Sequence, residues 1–415
     1  MKKSPLIAFA LFALLLTSCA TASEPARGAF ATGQYRNLFT ELLGKSPAEV
    51  DAKIATAYQQ LFYGDDKEQR VYFPVGDDLA YIADIGSHDV RSEGMSYGMM
   101  IAVQLDHRAE FDRLWKWANK YMRHADGPRR GYFSWQCKFD GTVMDHSTAS
   151  DGEEWFAMAL FFAAHRWSDS AKTTGILNYG AEAQTLLRDI LHKTHTAEVT
   201  TVFNHKEKQV VFVPNPAADK FTDPSYHLPF YYELWARWSE NADDRKFWAE
   251  AAATSRAFFR RAAHPVTGLM PEYAQFDGTP FDSKGYGGGK GDFRFDARRT
   301  IPHVALDYAW FAADPWQVEQ GNRVLRFFST LLPTIPSQMS LDGKPLSPGS
   351  SAGLDAVSAI AGLTADPALA RPFVQRLWDM PIPSGQWRYY DGMLYTFSLL
   401  QAGGKFQIYQ PPAKL

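Results

Sequence analysis

Residues 151–167, DGEEWFAMALFFAAHRW, decide the fold of this chain. If this stretch is helical, apolar side chains point in nearly every direction around its axis, and only its two ends are polar. Such a helix is stable only when protein covers it on all sides. With 415 residues, the chain is long enough to build a large core around it.

Helices of this buried type alternate along the sequence with helices that are apolar on one face only. The buried type comprises residues 93–105, 151–167, 226–238, 296–311 and 391–403, with a weaker sixth at 351–363. The one-sided type comprises residues 47–62, 107–124, 180–194, 242–263, 316–331 and 366–378. This alternation predicts an all-α fold in which an outer ring of helices wraps an inner ring. Short strand-like runs such as 209–214 are predicted to be β-hairpins in loops.

The N-terminus is typical of an exported protein. Lys2 and Lys3 precede an apolar run too short to span a membrane, and LTSC, ending at Cys19, resembles a bacterial lipobox. We predict a signal peptide over residues 1–19, a linker over 20–30 and a single folded domain over 31–415. The protein is then an outer-membrane or periplasmic lipoprotein of a bacterium, attached to the membrane only through a lipid on Cys19. Ordinary cleavage just after the TASEPA region, followed by secretion, is the alternative.

Composition excludes several classes of function. The formal net charge of -3 gives no electrostatic attraction to nucleic acid. If Cys19 is lipidated, Cys137 stands alone, so we expect no structural disulfide and interpret Cys137 as a packed thiol. The histidines lack the spacing of metal ligands, and GGGKGD at 287–292 lacks the Ser or Thr of a phosphate loop. We therefore expect no metal and no cofactor, and we expect a monomer.

The stretch SEGMSYGMM at 92–100 is compatible with two different enzymes. Its G-x-S-x-G pattern matches the turn that presents a nucleophilic serine in esterases, which would make Ser96 the reactive group. That turn requires a strand running directly into it, whereas the preceding residues here are polar and typical of a turn. We therefore favour Glu93 as the reactive group and interpret Ser96 as a small packing residue.

Acids and aromatic residues cluster at the predicted starts of the buried helices. If all inner helices start at one end of the barrel, these side chains converge on one mouth. The residues at the helix starts are four acids and one tyrosine: Glu93, Asp151, Tyr226, Asp296 and Asp391. The surrounding aromatic residues are Trp135, Trp155, Tyr231, Tyr286, Tyr389 and Tyr390. Helix capping explains one or two of the acids but not the aromatic rings. An acidic mouth lined with aromatic faces is suited to cleaving a sugar chain between two carboxyl groups.

The sequence resembles glycoside hydrolase family 8 over roughly residues 35–410. The motif ASDGEEWFAMALFFAAHRW at 149–167 is similar to the signature of that family, except that Glu153 replaces the usual Asp. RSEGMSYGMM, DPSYHLPFYYELW and YYDGMLYTFSLL resemble its branch of xylanases and reducing-end xylose-releasing exo-oligoxylanases. The resemblance implies an (α/α)6 barrel and an inverting hydrolase of β-1,4-linked chains, so that 31–415 becomes one catalytic domain.

The resemblance also implies roles for individual residues. Glu93 matches the general acid and Asp296 the general base, although one extra residue precedes the proline in FDARRTIP. Asp151 matches the acid that holds the distorted sugar. The substrate-binding residues are then Tyr226 beside the attacking water, Arg299 three residues after the base, Trp135 as a stacking platform, and Tyr389, Tyr390 and Asp391. An inverting enzyme requires roughly 6.5–9.5 Å between the two carboxyl groups, with the acid protonated and the base ionised.

The expected substrate is an oligo- or polysaccharide of the xylan type. The exo-acting branch carries a loop histidine that closes the cleft, and the matching segment 341–356 has Ser350 and Ser351 but no histidine. We therefore lean slightly to an endo-xylanase, with the reducing-end exo-oligoxylanase as the alternative. An endoglucanase or chitosanase of the same family, a serine esterase and an inactive sugar-binding lipoprotein are more remote possibilities.

Overall fold

The computed structural model describes Met1 and residues 27–412. The predicted signal peptide, its lipobox at Cys19 and most of the predicted linker therefore lie outside the described residues. A short helix already starts at Ala29, two residues before the predicted start of the domain at residue 31. The ring of Phe30 stacks on Phe311 with centroids 5.3 Å apart, so this part of the predicted linker belongs to the folded domain.

Twelve helices of the described chain form two concentric rings. Two short helices, α1 (Ala29–Thr32) and α2 (Leu38–Leu43), come first. The others, in chain order, are α3 (Pro47–Tyr63), α4 (Ser92–Leu105), α5 (Arg108–Tyr121), α6 (Ser150–Arg166), α7 (Tyr179–His192), α8 (Pro229–Trp238), α9 (Ala242–Ala262), α10 (Thr300–Phe311), α11 (Trp316–Ser329), α12 (Ala352–Ser358), α13 (Pro367–Asp379) and α14 (Arg388–Ala402). Even-numbered helices from α4 onward form the inner ring and odd-numbered ones from α3 the outer ring. The predicted (α/α)6 barrel is confirmed.

Each inner helix packs on one outer helix, and the ring closes through the chain ends. From α4 to α13, each inner helix contacts the outer helix that follows it. The first outer helix, α3, packs on the last inner helix, α14, and α14 also contacts α4. Between α6 and α8 the contact includes Trp155 edge-on to Tyr231 at 5.3 Å. These two rings are buried in the core.

Three small antiparallel sheets lie in the connections, as predicted. They comprise β1 (Tyr72–Val75) with β2 (Leu79–Ile82), β3 (Val90–Arg91) with β4 (Gln136–Cys137) and β5 (Val143–Asp145), and β6 (Phe203–Asn204) with β7 (Gln209–Val210). Strand β3 runs directly into α4, where the sequence predicted a turn, and the Ser92 N–H donates to the carbonyl of Trp135 at 3.0 Å. This sheet therefore fixes the start of α4 and, with it, Glu93.

Prolines make two inner helices start later than predicted. Tyr226 lies in a 3-10 turn (Pro224–Tyr226), and α8 begins at Pro229, because the residue before a proline is disfavoured in helical conformation. Asp296 likewise lies in a 3-10 turn (Phe295–Arg299) before α10. The ring of Pro302 would clash with the carbonyl of residue 298 in a continuous α-helix, whereas a proline in the first turn loses no hydrogen bond. The weak sixth helix divides into α12 and a 3-10 helix, Ala359–Leu363.

No described helix has the length and hydropathy needed to cross a bilayer. Cys137 is buried in strand β4, and burial raises the pKa of its thiol to about 12. A thiol in this setting is unreactive at neutral pH, in keeping with its interpretation as a packing residue.

Candidate active site

The inner helices bring their N-terminal ends to one mouth of the barrel. Glu93 is the second residue of α4, Asp151 the second of α6 and Tyr389 the second of α14. Arg299 is the last residue before α10. Close packing of two helix starts is possible because of Gly152, where a Cβ atom would lie 2.5 Å from Oγ of Ser92.

Arg299 is the hub that joins the predicted acidic residues. Its Nη1 atom donates to Glu93 Oε2 at 2.7 Å and to Asp151 Oδ2 at 3.1 Å, and its Nη2 atom lies 3.3 Å from Asp296 Oδ2. The guanidinium side chain is only 2% exposed, whereas the side chain of Asp296 is 30% exposed. One cation therefore connects three carboxyl groups, with Asp296 on the solvent side.

The charges of this cluster give Glu93 and Asp296 different protonation preferences. Three ionised carboxylates beside one guanidinium would leave an excess of buried negative charge, so a proton is favoured on one of them. Burial, opposed by Arg299 but supported by the charges of Asp296 and Asp151, raises the pKa of Glu93 to about 7. Burial alone would also raise the pKa of Asp296, but Arg299 and the Tyr390 hydroxyl outweigh it and hold that pKa below its usual value. Near neutral pH, Glu93 can therefore hold a proton while Asp296 is ionised.

Two adjacent tyrosines of α14 each contact one of the two carboxyl groups. The Tyr389 hydroxyl donates to Glu93 Oε1 at 2.8 Å, and the Tyr390 hydroxyl donates to Asp296 Oδ1 at 2.6 Å. Tyr389 reaches Glu93 only because Gly94 has no side chain, since a Cβ there would lie 2.6 Å from the tyrosine ring. The sequence predicted both tyrosines at the mouth, but it did not indicate that one would bind Glu93 and the other Asp296.

Trp135 and Tyr226 flank the same cluster. Trp135 is half-buried next to the start of α4, and the guanidinium of Arg91 lies 5.6 Å from its ring centroid. Tyr226 is buried, and its ring lies 5.5 Å from the guanidinium carbon of Arg299. Both predicted substrate-binding residues are thus at the mouth.

Asp391, predicted to bind substrate, has a structural role in this fold. Its Oδ1 atom accepts hydrogen bonds from Ser351 Oγ at 2.8 Å and from the Gly353 N–H at 3.0 Å, which caps the start of α12. It also lies 3.7 Å from Nη1 of Arg298. Through these contacts Asp391 fixes α12 next to the residues around Arg299, and its binding of substrate stays a prediction.

Ser96 cannot act as an esterase nucleophile in this structure. It lies inside α4, it is fully buried, and its hydroxyl donates to the backbone carbonyl of Glu93 at 2.9 Å. A nucleophile elbow would expose this hydroxyl on a turn. The structure therefore excludes the serine-esterase alternative and confirms Ser96 as a packing residue.

Sequence reasoning missed two partners of Arg299. The hydroxyl of Tyr97 accepts from Nη1 at 2.6 Å, and the hydroxyl of Ser225 accepts from Nη2 at 3.0 Å. Tyr97 follows Glu93 by four residues, so the helical spacing could have placed both on one face. Ser225 is in the D-P-S-Y motif, which indicated only its tyrosine, Tyr226.

A second buried acidic group near Asp296 was also missed. Asp223 and Glu272 are buried, and each leaves one carboxyl oxygen without a hydrogen-bond partner. Burial and the charge of Asp296 raise the pKa of Glu272 to about 7, and its other oxygen accepts from Lys290 Nζ at 2.6 Å. Glu272 lies in a loop with no periodicity, so the sequence carried no indication of it. Within residues 27–412, no group of three or more His, Cys, Asp or Glu is arranged to hold a metal ion.

The sequence that builds this site matches a known protein family. The sequence pattern of glycosyl hydrolases family 8 matches residues 82–404, which include the whole Arg299 cluster. The chain belongs to glycoside hydrolase family 8. Membership in this family supports the assignment as an inverting glycoside hydrolase.

Relatives within family 8 match the chain over nearly its whole length. The reducing-end xylose-releasing exo-oligoxylanase Rex8A of Paenibacillus barcinonensis is 45% identical over 92% of this chain and 99% of its own. Its structure in complex with xylose superposes with a TM-score of 0.88, covering 92% of this chain and 100% of that one. A reducing-end xylose-releasing exo-oligoxylanase of Halalkalibacterium halodurans is 43% identical over 92% of this chain and 97% of its own. A catalytic mutant of a family 8 xylanase from Teredinibacter turnerae, in complex with xylohexaose, is 44% identical, with a TM-score of 0.89 and coverage of 92% and 100%.

Proposed function

We propose that this enzyme hydrolyses β-1,4-linked xylo-oligosaccharides with inversion at the anomeric carbon and releases xylose from their reducing ends. The observation that carries the proposal is the pair of carboxyl groups, Glu93 and Asp296, held by one guanidinium with opposite protonation preferences. Two carboxyl groups in different protonation states are what an inverting glycosidase requires.

Glu93 is the proposed general acid. It donates its proton to the glycosidic oxygen as the bond from that oxygen to the anomeric carbon breaks, so the leaving sugar departs with a free hydroxyl group. Tyr389 orients the carboxyl group through its 2.8 Å hydrogen bond. Arg299 then stabilises the carboxylate that forms on Glu93.

Asp296 is the proposed general base. It takes a proton from a water molecule while the oxygen of that water bonds to the anomeric carbon from the opposite face. Its side chain is more exposed than those of Glu93 and Asp151, which is consistent with access for water. Asp151 holds the sugar at the cleavage point, Tyr226 lies beside the water, and Trp135 stacks on a neighbouring sugar.

Reducing-end action is supported by the relatives rather than by the sequence motifs. The Paenibacillus and Halalkalibacterium enzymes both carry this activity in their names and match nearly the whole chain. The slight preference for an endo-xylanase in the sequence analysis rested on one loop and receives less support from these relatives.

Endo-xylanase activity is the second candidate, because of that same loop. Residues 341–351 contain no histidine, and Ser350 is exposed. The hydroxyl of Ser351 is held by Asp391 and Arg298. A cleft left open by this loop would admit a longer chain on both sides of the cleavage point.

Product analysis separates the two candidates. Xylohexaose labelled with ¹⁸O at its reducing end is incubated with the enzyme, and the early products are followed by mass spectrometry. Labelled xylose together with unlabelled xylopentaose is the expected result, whereas labelled products of several lengths indicate endo action. Cellohexaose and chitosan oligomers are tested in parallel, and preferred cleavage of either contradicts the proposed substrate. Proton NMR should detect the α-anomer first among the new reducing ends, because inversion of a β-linkage yields it.

A further inference from the structure

Trp387 is an exposed tryptophan at the active-site end of the barrel. All twelve tryptophans of the chain lie among the described residues, and Trp387 is the only exposed one, at 67%. It immediately precedes α14, two residues before Tyr389 and three before Tyr390. Because the inner helices start at the mouth, this indole lies on the same rim as the residues that contact Glu93 and Asp296.

The backbone that carries Trp387 is firmly anchored. The next residue, Arg388, is 1% exposed, and its guanidinium donates to the carbonyls of Arg70, Asp66 and Gly385 at 2.8–2.9 Å. The Gly385 N–H donates to the carbonyl of Glu68 at 2.8 Å. The indole is therefore exposed on a rigid support. A rigid exposed aromatic ring loses little conformational entropy when a ligand stacks on it.

A polar turn borders the indole. The turn at 84–89 is closed by two backbone hydrogen bonds between Asp84 and Asp89, and Gly86 lies against the edge of the Trp387 ring. A Cβ atom at Gly86 would lie 3.0 Å from Cζ3 of the indole. Ser87 and His88 are exposed at the tip of this turn. An aromatic face next to hydroxyl and imidazole groups can stack on a pyranose and hydrogen-bond its hydroxyls.

The turn also connects this rim to the general acid. Arg91 donates to Ser87 Oγ at 2.8 Å, forms ion pairs with Asp84 and Asp89 at 3.1 Å, and lies over the ring of Trp135. Arg91 directly precedes α4, which carries Glu93. Residues 84–91 thus contact Trp387 through Gly86 and Trp135 through Arg91, and they lead directly to Glu93.

We infer that Trp387, with the polar turn at 84–89, forms an outer subsite that stacks on a xylose unit of the substrate away from the cleavage point. The inference rests on the proposed function and adds a residue that the catalytic description does not use. Among the described residues, Trp387 forms no hydrogen bond with Glu93 or Asp296. We therefore expect it to contribute binding energy that is equal in the ground state and the transition state. Its loss therefore raises KM and leaves kcat unchanged.

The test compares Trp387→Ala, Trp387→Phe and Gly86→Ala on xylo-oligosaccharides of increasing length. For Trp387→Ala we expect KM for xylohexaose to rise about tenfold, the order seen when a tryptophan contact is truncated. The shortest cleaved substrate should show little change, kcat should be unaltered, and Trp387→Phe should restore most of the affinity. Gly86→Ala should shift the indole and raise KM by about twofold to threefold. Trp378→Ala on the outer helix α13, beneath Lys45 and Lys53, is the control and should leave KM unchanged.

A direct readout uses Glu93→Gln, which binds without turnover. Acrylamide quenching of tryptophan fluorescence should fall when xylohexaose is added. This protection should become smaller when Trp387→Phe is added to the background, and the protection that remains comes from Trp135, which also stacks on a sugar. Normal cleavage by the unaltered enzyme together with an unchanged KM in Trp387→Ala contradicts the subsite alone. An equal loss of kcat at every chain length also contradicts it. Failure of the unaltered enzyme to cleave any xylo-oligosaccharide overturns both the subsite and the proposed function.

Discussion

At the scale of single residues, the proposed chemistry of this enzyme depends on unequal protonation of two carboxyl groups. Glu93 is nearly enclosed, and its like-charged neighbours outnumber its one cation, Arg299. Asp296 is more open to solvent and has Lys290 and Arg298 near it in addition to Arg299. Desolvation and charge balance therefore raise the pKa of one group and lower that of the other.

The first prediction concerns the acid and the base themselves. Glu93→Gln and Asp296→Asn should each lower kcat on xylohexaose by about 10²–10⁴-fold, because each removes proton transfer while keeping a similar shape. Ser96→Ala is the matched control and should retain activity within a few-fold, since that hydroxyl contacts only the Glu93 carbonyl. Full activity in either amide variant would disprove the assignment.

The second prediction is that replacing each of the two tyrosines by phenylalanine shifts a different limb of the pH profile of kcat/KM. The proposed mechanism requires protonated Glu93, so we expect kcat/KM to fall as pH rises through the pKa of Glu93 near 7. The Tyr389 hydrogen bond lowers that pKa, so Tyr389→Phe should raise it and shift the alkaline limb to higher pH. Tyr390 lowers the pKa of Asp296, which must be ionised, so Tyr390→Phe should shift the acidic limb to higher pH. Each variant should leave the other limb in place, and a shift of the same limb in both would contradict this division.

At the scale of helices, the site depends on how closely the inner helix starts approach each other. Gly94 in α4 gives space to Tyr389 from α14, and Gly152 in α6 gives space to Ser92 from α4. Glycine costs about 1 kcal/mol of helix propensity relative to alanine, so its presence in two buried helices indicates a packing requirement.

The third prediction tests this requirement at Gly94. Gly94→Ala should lower kcat/KM at least about tenfold, because a methyl group 2.6 Å from the Tyr389 ring displaces the hydroxyl from Glu93. Overpacking should also cost about 1–3 kcal/mol in the free energy of unfolding. Gly180→Ala in α7 is the control, since its nearest neighbour would lie 3.7 Å away, and it should keep both activity and stability. Steady-state kinetics and denaturant unfolding measure the two effects, and an active Gly94→Ala enzyme would refute the requirement.

At the scale of the whole molecule, buried charged groups join the two rings of helices. Arg256 on outer helix α9 donates to both carboxyl oxygens of Asp307 on α10 at 2.7 and 2.8 Å, and to Glu233 on α8 at 2.7 Å. Asp307 is fully buried, so its charge depends on this partner. One outer helix is thereby fixed to two inner helices.

The fourth prediction follows from that arrangement. Arg256→Ala should destabilise the protein by about 3–5 kcal/mol, because it leaves a buried carboxylate without its cation. Arg260→Ala on the same helix removes an exposed ion pair with Asp314 and should cost less than about 1 kcal/mol. Thermal and urea unfolding of the two variants provide the comparison. Similar stabilities for both would show that the rings are held together without Arg256.

The sequence by itself determined which segments are helical, which of them are buried, and that acids and aromatic rings gather where the inner helices start. These features depend on side-chain spacing along one segment, which is a local property. Helices α8 and α10 start later than the apolar pattern predicts. The cause is proline, and Pro229 and Pro302 are visible in the sequence.

Only the tertiary structure decided which side chains meet. Arg299 joins groups from three helix starts, Tyr389 and Tyr390 divide the two acids between them, and Asp391 turns to cap α12. Glu272, from a loop, is near enough to Asp296 for their charges to interact, and Trp387 stays exposed on an anchored turn. The physical reason is that pKa values and stacking surfaces depend on burial and on charges from distant parts of the chain. Burial and the positions of those charges are fixed only when the two rings of helices close into a barrel.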